Sequence, residues 1–227
     1  HQDAINKGLQ AMQEHSSLLW EVPYLPIDPA DIGREYEPVV RINSQSGKGG
    51  VAFILDYQYG YKLPKGMQRE FADYIQFISE KEGEVDPERI LKVFTEEYVE
   101  AKKPLFFKNL RSMDMEDEKN GYVSFVQLSY ENRGILKEVS ASGSGPIEAT
   151  VNALRKELKK DFTVIDYNEH ALGAEASAKA VSYIHLMDRE SGKSTFGVGI
   201  SSNITRSSVR ALFSAINRLY YPKTAEG

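Results

Sequence analysis

The stretch "ASGSGPIEATVNALRKELKKDFTVIDYNEHAL", Ala141 to Leu172, decides the fold. It opens on a Ser/Gly turn and puts Pro146 at a first helical position, where a missing N–H costs nothing. Ile147, Val151, Leu154 and Leu158 then recur at helical spacing, which predicts a helix over Pro146 to Lys159. The basic run Arg155 to Lys160 complements the negative end of that helix. From Phe162 the period shortens, and Phe162 to Leu172 reads as a strand.

Strands flank this helix on both sides. Upstream, Tyr122 to Asn132 and Gly134 to Ser142 read as a strand pair. Downstream, Ala178 to Asp188 and Ser194 to Ser201 read as a hairpin turning at Arg189 to Lys193, and a last helix runs from about Asn203 to Tyr220. Five strands and two helices are placed in this way, and taken cyclically their order reads as two sets of three strands and one helix, with one strand of the first set not located. Helices covering one face of antiparallel sheets make an α+β domain.

The first hundred residues read differently. His1 to Gln13 is a helical pattern, followed by Trp20 to Pro29 with Pro23, Pro26 and Pro29, which predicts an extended, stiff path. Such a path either connects packed elements or aims Trp20 and Tyr24 at another surface. Glu37 to Asn43 and Val51 to Tyr59 read as strands joined by a Gly47-Lys48-Gly49-Gly50 hairpin turn, and two helices follow Pro64 and Pro87. The reading divides the chain into linker subdomains at 1–100 (the first about 1–40, the second about 41–100), a charged connecting loop at 101–121, and a domain at 122–227.

With 227 residues, 41% hydrophobic, the chain can build a packed core. Its longest apolar run, Val51 to Leu55, is five residues, against roughly 20 needed to cross a bilayer. No signal peptide is visible, and a chain opening on His1 reads as a fragment lacking an upstream part. There are no cysteines, which excludes thiol catalysis and Cys-ligated metal here and fits a cytoplasmic protein. A net charge of −5 argues against nucleic-acid binding.

The chemical motifs are sparse. Gly47-Lys48 lacks both the following Ser/Thr and the preceding glycine of a phosphate loop. No two of His1, His15, His170 and His185 stand at metal-ligand spacing. Ser142-Gly143-Ser144-Gly145-Pro146 is either an ordinary strand–helix turn or a helix start whose N–H groups hold an anion, with the glycines admitting the ligand.

Several stretches together resemble the C-terminal half of the 2-isopropylmalate synthase family, of the longer-chain type. They are His1 to Gly8, Trp20 to Pro29, Arg41 to Gly50, Ser142 to Pro146, Asp166 to Ala171 and Phe196 to Ile200, in the family's order. The resemblance implies an acyltransferase that condenses acetyl-CoA with 2-oxoisovalerate in leucine synthesis. A divalent metal would sit in a catalytic barrel outside this chain, with no cofactor in the chain itself. It further implies linker subdomains, then a regulatory domain of two βββα units that binds leucine for feedback inhibition and forms a homodimer. His1 and Tyr24 match the linker residues that complete the partner subunit's active site. The leucine pocket maps to Gly143, Ser144, Gly145, Pro146, Ile147, Val164, Tyr167, Ala171 and Ala178.

The chain departs from the family pattern at Ser144, Glu148 and Asn168, where relatives can carry Asn, a small residue and a second Tyr. The Glu148 carboxylate is expected to point to solvent. Two other readings stand beside this one: an independent amino-acid-sensing dimerisation module, and the same region of a citramalate or homocitrate synthase.

Overall fold

The computed structural model describes residues 2–15, 20–33, 48–117, 121–173 and 178–222. The chain forms two compact units, His1–Val40 and Arg41–Gly227.

In the first unit, α1 (Gln2–His15) is followed by a turn at Pro23-Tyr24 and one turn of 3₁₀ helix, Pro29–Ile32. Gly8 is where the chain after α1 folds back. A Cβ there would lie 2.7 Å from Pro23 Cδ, so the helix needs glycine at this contact. Ile5 and Val22 are buried. The proline-rich segment is therefore not extended. Proline at the corner of a turn is as favourable as proline in an extended chain, and the Leu25 N–H donates back to Val22 O at 3.2 Å.

The second unit begins with helices: α2 (Lys48–Tyr59), α3 (Lys65–Glu82) and α4 (Pro87–Phe94), the last continuing into a π turn, Thr95–Val99. The strand reading of Val51 to Tyr59 is wrong, and with it the hairpin turn, since Lys48 to Gly50 open α2; Gly47 lies outside the described residues. Val51, Ile54 and Leu55 are buried together at helical spacing. A five-residue apolar run does not by itself separate a buried strand from a buried helix. Gly60, at φ 74°, ends α2, its N–H bonding Asp56 O and the Tyr61 N–H bonding Leu55 O. The companion strand, Glu37 to Asn43, lies outside the described residues.

Two antiparallel three-stranded sheets follow. The first holds β1 (Leu105–Asp117), β2 (Gly121–Asn132) and β3 (Ile135–Gly143), with α5 (Pro146–Leu158) after it. The second holds β4 (Phe162–Leu172), β5 (Lys179–Asp188) and β6 (Ser194–Ser201), followed by α6 (Ile204–Tyr220). The α+β class and the two βββα units are as the sequence indicates. The segment 101–121, read as a connecting loop, is instead largely β1. Its charges lie along a strand, and a bulge at Lys108, between Phe107 and Asn109, interrupts the alternation that marks strands.

Helix α6 is the centre of this unit. Val209, Ala211, Leu212, Phe213, Ala215 and Ile216 are buried in one core with Leu105, Leu128, Tyr130, Leu154, Phe162 and Ile184. Gly197 and Gly199 let the α6 backbone rest on β6, since a Cβ on either would intrude on Ala211 and its neighbours. This gives the Phe196-Gly197-Val198-Gly199-Ile200 motif a packing role. Asn217, also buried, fixes the start of β1: its Nδ2 donates to Ala101 O and Leu105 O at 2.8 Å, and its Oδ1 accepts from Leu105 N at 3.1 Å.

The opposite face of the second sheet meets α3. Glu70 accepts hydrogen bonds from Arg218 (2.7 Å), Tyr98 (2.9 Å) and Thr195 (3.0 Å). The Arg218 guanidinium also lies 3.7 Å from the Tyr98 ring centroid. His185 stacks on Phe196 at 4.0 Å, and Gly66 of α3 abuts the same ring. Burial lowers the His185 pKa, opposed by Glu70 and Asp166.

Candidate functional site

The candidate residues fall into three places. Tyr24 sits at the tip of the turn in the first unit, 63% exposed and at φ 65°, a conformation uncommon for a side chain of this size. The Trp20 indole N–H donates to Leu25 O at 2.8 Å and braces the turn that presents it. His1 lies outside the described residues.

Gly143, Ser144, Gly145, Pro146 and Ile147 form the passage from β3 into α5, as the sequence suggests. The two glycines differ. A Cβ on Gly143 would lie 2.5 Å from Ala149 N, so its bareness serves the packing of the turn on its own helix, not ligand access. A Cβ on Gly145 would meet nothing within 4 Å, which leaves room at the helix start.

Glu148 is exposed, but it turns back rather than reaching freely into solvent. Its carboxylate accepts from the Ser144 N–H at 2.7 Å and the Ser144 hydroxyl at 2.5 Å. This is a variant of the capping box, in which an acid in the first turn reaches back to a donor before the helix. The Ser144 bonds, hydroxyl first, lower the Glu148 pKa. One N–H of this turn is thus already engaged by the chain's own carboxylate.

Val164, Tyr167 and Ala171 come together on β4 for a reason no simple alternation gives. Val164 pairs with Leu186, Tyr167 with Ile184 and Ala171 with Ala180, with a register shift between Val164 and Asp166. Side chains alternate between faces along a strand. Val164 and Tyr167, three apart, would therefore face opposite ways without the extra residue Ile165. The bulge puts Val164, Tyr167 and Ala171 on the face of the sheet that α6 covers. Ala178 stands just before β5, across from Gly173.

On this face the Tyr167 hydroxyl bonds Glu169 and, at 2.9 Å, the Ser208 hydroxyl. Ser208 belongs to a buried group: Ser182 Oγ lies 2.7 Å from Ser207 Oγ and 3.2 Å from Ser208 Oγ, and both α6 serines donate to Ile204 O at 2.8 Å. Burial first, then the bond to Glu169, raises the Tyr167 pKa. A polar chain thus runs from the surface of β4 into the first turn of α6.

Ile147 and Val164 both border the hydrophobic core around α6. Among the described residues no hydrogen bond joins the groups. Two concavities lie away from both groups: about 500 Å³ beside Arg111, Gln127 and Glu138 on the first sheet, and about 460 Å³ beside Arg155, Lys156 and Lys160 at the end of α5.

Glu169 lies between Tyr167 and Ala171 on the same face and pairs with Ser182. Among the described residues there is no group of three or more His, Asp or Glu placed to hold a metal ion, and no helix long and apolar enough to cross a membrane.

Comparison with known proteins adds the following. Residues 1–56 match the family described as alpha-isopropylmalate synthase, post-catalytic domain-like, and residues 84–220 match the LeuA allosteric (dimerisation) domain. The chain is 42% identical over 222 residues to the 2-isopropylmalate synthase of Clostridium acetobutylicum, covering 96% of this chain and 39% of that protein. It is 43% identical over 230 residues to that of Mycobacterium ulcerans, covering 96% and 40%. It is 44% identical over 220 residues to that of Rhodospirillum rubrum, covering 96% and 39%. It thus spans about two fifths of the length of these relatives. The chain belongs to the LeuA allosteric (dimerisation) domain family, with a post-catalytic region of the alpha-isopropylmalate synthase kind ahead of that domain.

Proposed function

We propose that this chain is the linker and leucine-sensing region of a cytoplasmic 2-isopropylmalate synthase. In this reading the condensation of acetyl-CoA with 2-oxoisovalerate takes place, with a divalent metal, on a catalytic barrel that these residues do not form. His1 and Tyr24 complete the active site of the partner subunit in a homodimer. Forming an enolate from acetyl-CoA requires a proton acceptor and a donor to the developing oxyanion, roles that a His and a Tyr can fill. The braced, exposed turn bearing Tyr24 suits such a role.

Leucine is the effector. The observation that carries this reading is the bulge at Ile165, which gathers Val164, Tyr167 and Ala171 on one face of β4, with Val164 bordering the core that Ile147 also borders. Apolar surfaces of that kind suit an isobutyl group. The open helix start at Gly145 offers N–H groups and a positive dipole end to the α-carboxylate.

A ligand that binds only the folded state raises its stability by mass action, by about 2.7 kcal/mol at one hundred times its Kd. Leucine is therefore expected to raise the melting temperature of the chain in a concentration-dependent way, and isoleucine and valine to do so much less. Equal shifts from all three would contradict leucine as the effector. The chain alone is expected to be inactive as a synthase, and condensation catalysed by it would contradict the division of labour proposed here.

A further inference from the structure

We infer that the outer face of the first sheet, turned away from α5 and α6, is where a second copy of this chain docks. This rests on the homodimer reading above and names the surface that the reading leaves open.

The two βββα units are alike down to their irregularities. β1 bulges at Lys108 and β4 at Ile165. Counted from those bulges, Gln127 stands where Tyr183 does, Ser129 where His185 does and Glu138 where Phe196 does. In the second sheet this outer face is covered. Tyr183, Phe196 and Val198 are buried, with α3 against the sheet: Gly66 abuts Phe196, and Glu70 binds Thr195. In the first sheet the matching positions lie open. Arg111, Gln127, Glu138 and Ser140 are exposed and line the concavity of about 500 Å³.

The chemistry of the open face points to its occupant. At one end Met113 pairs with Phe125 and Met115 with Val123. Met113 is 62% exposed and Met115 40%. Neighbouring apolar side chains left in water mark a contact surface. Beside them stand Arg111 on β1 and Glu138 on β3. Among the described residues neither has an ion-pair partner, whereas Lys108 pairs with Glu131 and Lys137 with Glu157.

An unpaired cation and an unpaired anion on the two outer strands make this face complementary to itself. A two-fold contact uses one patch on both partners. An axis along the strands lays β1 of each copy over β3 of the other. Arg111 then reaches Glu138 of the partner subunit, and the contact occurs twice. Phe125, on the middle strand, meets its own counterpart at the apolar end. The arginine fork is long enough to cross the concavity and can hold a carboxylate by two bonds. A small zwitterion could meet the two charges but would leave the apolar end in water.

The test is a charge swap. Light scattering over a dilution series gives the dimer dissociation constant for wild type, Arg111→Glu, Glu138→Arg and the double variant. Both positions are exposed, so the core is left intact. Each single variant sets like charges against each other and is expected to raise the dissociation constant at least about tenfold. The double variant restores opposite charges in exchanged places and is expected to recover most of that loss. A dimer equally tight in all four proteins would overturn the assignment of this face while the homodimer reading stands. Weakening in both single variants without recovery in the double would overturn the Arg111–Glu138 contact on which the assignment rests. A wild type that stays monomeric would overturn both readings.

Discussion

Asn217 and Glu148 show how single side chains do the work of backbone here. Asn217 mimics a strand edge, giving Leu105 both a donor and an acceptor inside the core. Asn217→Ala leaves the Leu105 N–H and C=O without those partners, and burial makes such groups costly. A loss of about 2–4 kcal/mol is expected in chemical denaturation, within the range for broken buried networks. An effect below about 0.5 kcal/mol, the level of an ordinary surface substitution, would contradict this role. Glu148 titrates in a definite direction. Its pKa is lowered in the folded protein by the Ser144 donors, so the stabilisation it provides is present above the unfolded value and is lost as pH falls through the folded one. Glu148→Gln is thus expected to lose less stability than wild type between about pH 5 and pH 3, around the ordinary range of Glu. Little of this is legible in the sequence. That Asn217 faces the core follows from the helical period of α6, but its partners lie more than a hundred residues earlier.

At the scale of elements, the periodic ones are legible and the interrupted ones are not. β4 and β6 have the ends read from sequence, and α6 begins after the Asn203 cap, whose side chain accepts from Arg206 N. β1 is hidden by its bulge and its charges. α2 is hidden because its apolar run is too short to show a period, although Gly60 marks a helix end. The bulge in β4 carries the candidate site, and alternation alone would split that site between two faces. Close packing of α6 on β6 is a second element-scale dependence. Gly199→Ala places a methyl against Ser207 O and Ala211 N, which belong to a helix backbone and cannot rotate away. Overpacking of this kind is expected to cost about 1–3 kcal/mol or more. A melting temperature within a degree of wild type would show that α6 can move off the sheet.

For the molecule as a whole, the second unit joins helices α2 to α4 to the regulatory fold through Glu70, Arg218 and Tyr98. Glu70 on α3 is thereby tied to both β6 and α6, through Thr195 and Arg218. Regulation between distant sites amounts to a coupling free energy, typically about 1–3 kcal/mol. The proposed homodimer is a statement at this scale, and light scattering at high protein concentration is expected to give twice the mass of the chain. A monomer under those conditions would count against it. The α+β architecture can be read from the order of periods along the sequence. The partner of each face cannot, because periodicity says that a face is buried and not what buries it.

The most direct measurement is calorimetric titration of the chain with leucine, with isoleucine and valine as controls. The account predicts selective, saturable binding of leucine, weakened by Tyr167→Phe and by a bulky residue in place of Gly145. A folded chain that takes up no leucine, or takes up all three amino acids alike, would contradict it.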